Sequence, residues 1–220
     1  LACDLSVMAE HTFLGQVGTA VGSVACGGAT QWLPLAVGDR RAREMLLLNP
    51  RIRAQQALEW GLVNRVAPTV TLAGAFLEST TEEQAALALR NKDGYGLDLS
   101  RLDSAVKTLS DALLEKFAEC TRYTKEQVNF WKNLSWHQTV GHARDWLSVH
   151  YCAAEPFEGM RAFVEKRKAG FMGLREKARD GGSSEFVHGP LVKTCGACKA
   201  VGLPASFGFC GVCGAAVENV

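Results

Sequence analysis

Two cysteine pairs near the C-terminus, Cys195-Gly196-Ala197-Cys198 and Cys210-Gly211-Val212-Cys213, constrain this chain more tightly than any other feature. Eleven residues separate the pairs. A Cys-x-x-Cys step brackets a tight turn that presents two thiolates to one ion, and its glycine eases the backbone. Two steps supply four soft ligands and leave no open position. That donor set describes a structural tetrahedral zinc site; redox thiols and a rubredoxin-like iron site are the alternatives. The tail 193–220 is too short to fold on hydrophobic burial, so the metal would supply its stability. The other four of the eight cysteines are scattered. That usage points to a reducing, cytoplasmic compartment rather than to disulfides.

Ahead of the tail there is sequence enough for one sizeable core. The formal net charge is +1. Such a balance gives no reason to expect nucleic acid or an acidic membrane surface as partner. Thr12–Val37 carries no charged side chain and is long enough to cross a bilayer. It is nevertheless interrupted by Gly15, Gly18, Gly22, Gly27, Gly28 and Pro34, holds Gln16 and Gln31, and is built of small apolar residues. A buried, glycine-rich pocket wall is therefore expected, not a membrane span. Nothing at this N-terminus reads as a signal peptide.

The pattern predicts strands over 5–9, 12–15 and 62–66, and helices over 29–37, 39–48 and 52–60. Asp39 is expected at an N-cap, and Gly61 after a helix end. In 39–48 the apolar face is Ala42, Met45, Leu46 and Leu48. Strands alternating with helices indicate an α/β core. Residues 69–98 are less regular and read as an insertion. A long amphipathic helix follows through Leu102, Val106, Leu109, Leu113 and Phe117. Trp131, Trp136, Trp146 and Tyr151 lie in further helical sequence, as core or as subunit interface. The domain reading is 1–68 core, 69–98 insertion, 99–178 helical and oligomerisation region, 179–192 linker and 193–220 zinc ribbon.

Ordered motifs run through the first 68 residues. They are Leu1-Ala2-Cys3-Asp4-Leu5, Phe13-Leu14-Gly15-Gln16, Gly22-Ser23, Gly27-Gly28-Ala29-Thr30-Gln31, Leu33-Pro34 and Ala57-Leu58-Glu59-Trp60-Gly61-Leu62-Val63-Asn64-Arg65-Val66. Their order and spacing resemble the crotonase (enoyl-CoA hydratase/isomerase) superfamily. The resemblance implies part of a crotonase ββα-spiral core, an acyl-CoA substrate and assembly as a homo-trimer or hexamer. In that superfamily two backbone N–H groups hold the thioester enolate oxygen. The first motif is the end of the segment carrying one donor, so both donors are expected upstream of Leu1, and these 220 residues alone are expected to be catalytically crippled.

A hydratase of this superfamily places a water-activating Glu where this chain has Gly18. Gly18 with Gly22-Ser23 resembles the ring-handling branch, and within it the 6-oxocyclohex-1-ene-1-carbonyl-CoA hydrolases. So do Gly22–Thr30, the insertion after Pro68, and the stretches 97–103 and 113–120. That branch tends to carry Pro-Lys after the Gly, where this chain has Thr19-Ala20. Gly18 and Ser23 are thus the candidate pocket and water-positioning residues; for Ser23 a hydroxyl that merely satisfies local backbone is the competing reading. Glu155–Lys168 resembles the last helix of true hydratases, in which a Phe and a Lys contact the adenosine end of coenzyme A from a neighbouring subunit; a solvated basic helix end is the competing reading. Carried over, these are Phe163 and Lys166, an aromatic face for adenine and an ammonium for phosphate. The leading expectation is ring-opening hydration and hydrolysis of an alicyclic oxo-enoyl-CoA. The alternatives are a fatty-acid-type enoyl-CoA hydratase, disfavoured by Gly18, and a non-catalytic crotonase-like scaffold carrying a zinc ribbon.

Overall fold

The computed structural model describes residues 1–180, 188–189 and 191–218. It divides into two compact units, 1–17 with 25–141, and 18–24 with 142–220.

In the first unit, β1 (Val7–Ala9) pairs in parallel with β4 (Arg65–Ala67), and β2 (Phe13–Leu14) pairs antiparallel with β3 (Ile52–Arg53). Between them run α1 (Ala29–Val37), α2 (Asp39–Leu48) and α3 (Ala54–Glu59). Gly38, extended in ψ at +159° with φ +80°, breaks the chain between α1 and α2 so that the two helices pack together. The core gathers Met8, Leu33, Val37, Ala42, Met45, Ile52, Ala54 and Ala57, one or two each from β1, α1, α2, β3 and α3. At about 25 cal/mol per Å² these buried side chains drive the assembly of the unit.

Asp39 does not cap α2. Gly38 occupies the cap position, and Asp39 is the first helical residue, bonded to Arg43 at 2.8 Å. Leu48 is exposed; Ala42 and Met45 carry the buried face. Residues 52–53 are strand rather than helix because they pair with β2.

Residues 69–98 are more regular than their composition implies. β5 (Val70–Leu72) sits between β6 (Ala75–Phe76) and β7 (Tyr95–Leu97) in an antiparallel sheet. α4 (Glu82–Leu89) starts in a capping box, in which the Thr81 hydroxyl accepts from the Gln84 N–H and the Gln84 side chain accepts from the Thr81 N–H. The segment is tied back to β1: the buried Glu10 carboxylate accepts from the Thr80 N–H at 2.9 Å and from its hydroxyl, and His11 Nδ1 meets the Thr69 hydroxyl at 2.7 Å. Burial lowers the His11 pKa, against the pull of Glu10.

α5 (Ser100–Leu114) and α6 (Ala118–His150) bury no residue fully. Trp131, Trp146 and Tyr151 are exposed, so the aromatic run is not the core of this chain. Trp136 alone of the four makes an aromatic contact with the first unit's core helices, against Trp32 of α1. Among the described residues no helix is long and apolar enough to cross a membrane.

In the second unit a 3-10 turn (Thr19–Val21) lies against α7 (Ala154–Val164), which is followed by α8 (Phe171–Arg179). The contact needs glycine on both sides. A Cβ on Gly159 would fall on the Val21 carbonyl, and one on Gly22 (φ +69°) would fall on the Glu155 carbonyl. Beyond α8, β8 (Leu191–Lys193) and β9 (Leu203–Pro204) form a small antiparallel pair. Most of the expected linker 179–192 lies outside the described residues.

Candidate functional site

A cavity of about 400 Å³ opens in the first unit. Gly15 and Gln16 reach it from the end of β2, Gly27 and Gly28 from the loop before α1, Trp32 from α1 and Met45 from α2. Its wall is thus drawn largely from the uncharged stretch 12–37, which forms a strand, a turn and a helix. Its volume falls in the range of small-molecule pockets. A larger open groove of about 1110 Å³ lies between 2–6 and α5–α6, bordered by the Lys125–Asp4 ion pair at 2.6 Å. None of the residues expected to carry chemistry lines either opening; the smaller one is the candidate acyl site because the motif residues Gly15, Gln16, Gly27 and Gly28 form its wall.

Gly18 and Ser23 close one turn in the second unit: the Ser23 N–H donates to the Gly18 carbonyl at 2.8 Å. Gly18 has right-handed backbone angles, φ −48° and ψ −65°. No conformational need for glycine exists there. The Ser23 hydroxyl has only a long contact, 3.4 Å, to the Val24 carbonyl. That is a weak bond, which leaves the hydroxyl able to rotate to another acceptor.

Phe163 and Lys166 meet at the end of α7. Phe163 is 74% exposed, and Lys166, also exposed, turns out of the helix at φ +54° with its N–H on the Phe163 carbonyl. The corner is braced by charge. Arg167 binds Glu158 at 2.6 and 2.9 Å and Glu165 at 2.6 Å, and Glu158 also accepts from the Gly170 N–H at 2.7 Å. Arg167 and the Gly170 N–H hold the Glu158 pKa down at about 2. The structure brings Phe163 and Lys166 together and leaves both facing solvent.

The four paired cysteines converge. Their sulfurs all lie within 4.8 Å of one another, with Cys195 to Cys213 and Cys198 to Cys210 at 3.6 Å. The two halves repeat each other. The residue after each second cysteine, Lys199 or Gly214, has positive φ and donates to the carbonyl of the first cysteine; Cys195 and Cys210 donate to Ala200 and Ala215. Backbone N–H groups of Cys198 and Val212 point at the sulfurs of Cys195 and Cys210. The Cys198 N–H brings the Cys195 thiol down to about 6, and the Cys213 and Val212 N–H groups lower Cys210. The Ala200 N–H favours the Cys198 thiolate, yet Cys213, loss of solvent, Cys210 and Cys195 push that thiol up to about 12. A cluster that stabilises some thiolates while crowding another is what a dication would relieve.

Trp32 and Met45 are cavity residues that sequence reasoning does not single out. The signal was present: an aromatic one helical turn after Gly27-Gly28. Spacing alone placed it on a core helix, because its partners Lys132 and Trp136 lie a hundred residues away.

Comparison with known proteins agrees with this geometry. The family described as enoyl-CoA hydratase/isomerase matches residues 1–90. The 6-oxocyclohex-1-ene-1-carbonyl-CoA hydrolase of Geobacter metallireducens is 32% identical over 190 residues, covering 76% of this chain and 49% of the relative. The Thauera aromatica protein of the same name is 30% identical, covering 76% and 50%. The chain therefore spans about half the length of the curated relatives it matches. A crystal structure of an enoyl-CoA hydratase from Mycobacterium avium subsp. paratuberculosis superposes with TM-score 0.58 and 25% identity, covering 77% of this chain and 57% of that one. Motifs, fold and relatives agree: over residues 1–90 this chain carries the match to the crotonase (enoyl-CoA hydratase/isomerase) superfamily.

Proposed function

We propose that the whole protein opens the ring of an alicyclic oxo-enoyl-CoA, in the manner of a 6-oxocyclohex-1-ene-1-carbonyl-CoA hydrolase, and that this chain supplies the acyl pocket. The observation that carries the reading is Gly18, glycine where the backbone does not require it, in a chain 32% identical to a protein of that name. Water adds across the conjugated ring double bond. A second water attacks the ring ketone, the ring C–C bond breaks, and its electron pair leaves as the thioester enolate. The enolate is then protonated at carbon. Absence of a carboxylate side chain at Gly18 leaves room for the ring. The Ser23 hydroxyl positions water, together with backbone and other polar groups. Phe163 and Lys166 hold the adenosine end of coenzyme A. A plain enoyl-CoA hydratase is the second reading, favoured by the hydratase fold neighbour and opposed by Gly18.

Cys195, Cys198, Cys210 and Cys213 would hold one zinc ion in a purely structural role, and their reduced thiols suit the cytoplasm. The exposed aromatics of α6 would be covered in a homo-trimer or hexamer. The deciding experiment is turnover by the whole protein of 6-oxocyclohex-1-ene-1-carbonyl-CoA against crotonyl-CoA. Efficient hydration of crotonyl-CoA with no cyclic turnover would replace the ring-hydrolase reading with the plain hydratase.

A further inference from the structure

Trp32 contributes the one aromatic side chain among the described residues lining the 400 Å³ cavity. It is half-buried, and it is locked in place on several sides. Its indole N–H donates to the Lys132 carbonyl at 3.0 Å. The Lys132 ammonium sits 5.3 Å from the ring centroid and also donates to the Leu1 carbonyl at 2.7 Å. Trp136 packs with its ring centroid at 5.3 Å, tilted by 35°. Gly28 closes the arrangement. A Cβ there would stand 2.7 Å from Cε3 and 2.8 Å from Cζ3 of the indole, so the benzo edge lies directly on the Gly28 backbone. With φ at +92°, Gly28 also holds a conformation that side chains rarely adopt.

The Trp32 indole is fixed at the wall of a pocket whose other lining is glycine backbone, aliphatic side chains, Gln16, Cys26 and Met45. A rigid aromatic face is complementary to a flat conjugated ring and gains little from a flexible linear chain, which must lose rotamer freedom to lie on it. We propose that Trp32 is the specificity-determining platform of the acyl pocket, on which a six-membered enoyl ring stacks, with Gly28, Lys132 and Trp136 as the residues that position its indole. The proposal rests on the ring-hydrolase reading and adds the side chain that performs the selection.

The test is calorimetric titration of the whole protein with two probes, cyclohex-1-ene-1-carbonyl-CoA and crotonyl-CoA. The wild-type protein binds the cyclic probe about tenfold more tightly. Trp32→Leu removes that preference, weakening the cyclic probe more than crotonyl-CoA, whereas Trp32→Phe, which keeps an aromatic face, retains part of it. Gly28→Ala keeps the indole but displaces it, and also loses the preference; if Trp32→Leu fails to fold, Gly28→Ala and Trp32→Phe decide the matter. Retention of the cyclic preference by Trp32→Leu, or by Gly28→Ala, overturns the platform. So does a wild-type whole protein that binds both probes equally. Turnover by the whole protein separates the two readings: a Trp32→Leu enzyme that still opens the ring with unchanged KM sinks the platform alone, while a wild-type enzyme inert toward the ring sinks the ring-hydrolase reading as well.

Discussion

The cysteine cluster and the acyl cavity are both sites, but they are assembled over different distances. The cluster brings together residues 195–213, each pair within one turn, and its two halves use the same hydrogen bonds. The cavity needs residues from five segments between Leu1 and Leu62, and its aromatic wall is braced by residues 132 and 136. A site built by local spacing can be read from a sequence because the spacing is itself the geometry. A site built by packing cannot, since the close approaches are set by elements far apart in the chain.

That contrast predicts that the cluster fails all at once and the cavity by degrees. The largest effect belongs to Cys210→Ser. Removal of one of four thiolates breaks the tetrahedral set, and a tail with so small a core has nothing to replace it. Wild-type protein purified without chelator is expected to hold about one zinc per chain. The variant should hold none, and amide signals of residues 191–218 should collapse while those of the first unit persist. Iron in the wild type, or a folded metal-free tail, would reject the zinc assignment.

The next effect is at Gly18. Its right-handed backbone sets no conformational bar to a side chain, and Gly18→Glu in the whole protein tests the chemistry. A carboxylate placed in space meant for an apolar ring costs a few kcal/mol in packing and desolvation, and ring turnover should fall by roughly a hundredfold or more. Crotonyl-CoA hydration should rise. Unchanged ring turnover would separate Gly18 from the pocket.

How much was legible follows the same division. α1 and α2 were readable because Gly38 interrupts two apolar patterns that then pack on each other. The family was readable because its motifs are short and ordered over 68 residues. The sheet within 69–98 was not. Its hairpin turns at Ala73-Gly74, where both residues have positive φ, and Ala is a poor announcement of such a turn. Asp93-Gly94, also at positive φ, was a turn signal that composition alone made look like irregularity. Phe163 and Lys166 were readable as a motif, but the Arg167–Glu158–Glu165 brace around them was not, because it depends on the helix ending at Val164.

Gly159→Ala probes an approach between residues 138 positions apart, Val21 and Gly159, of the kind that no spacing rule reports. In an exposed helix the change should stabilise by about 1 kcal/mol. Here the new methyl would meet the Val21 carbonyl and lie 2.7 Å from the Gly22 nitrogen, so the turn 18–23 must move. A net loss of about 1–3 kcal/mol is expected in denaturant titration, opposite in sign to the helix-propensity effect. A stabilised variant would mean that the turn and α7 do not share this contact in solution.

The smallest effect is a titration. Glu158 is held well below the ordinary carboxylate value of 4.5, at about 2, by Arg167 and the Gly170 N–H. A depressed folded pKa means that the contribution is complete above the unfolded value and is lost as pH falls from about 4.5 toward 2. The brace is at the surface, so salt screens it and its effect on global stability is slight. Its local effect is sharper, because Glu158 fixes the chain from Arg167 to Gly170, immediately after Lys166. As pH falls from about 4.5 toward 2 the amide protons of residues 165–170 should lose exchange protection before those of α7 itself. Glu158→Gln should show that loss already at pH 7 and should weaken coenzyme A binding modestly, since Lys166 then sits on an unbraced turn. Carboxyl NMR that places the Glu158 midpoint near 4.5 would remove the brace from the account and leave Phe163 and Lys166 as two exposed side chains on a frayed helix end.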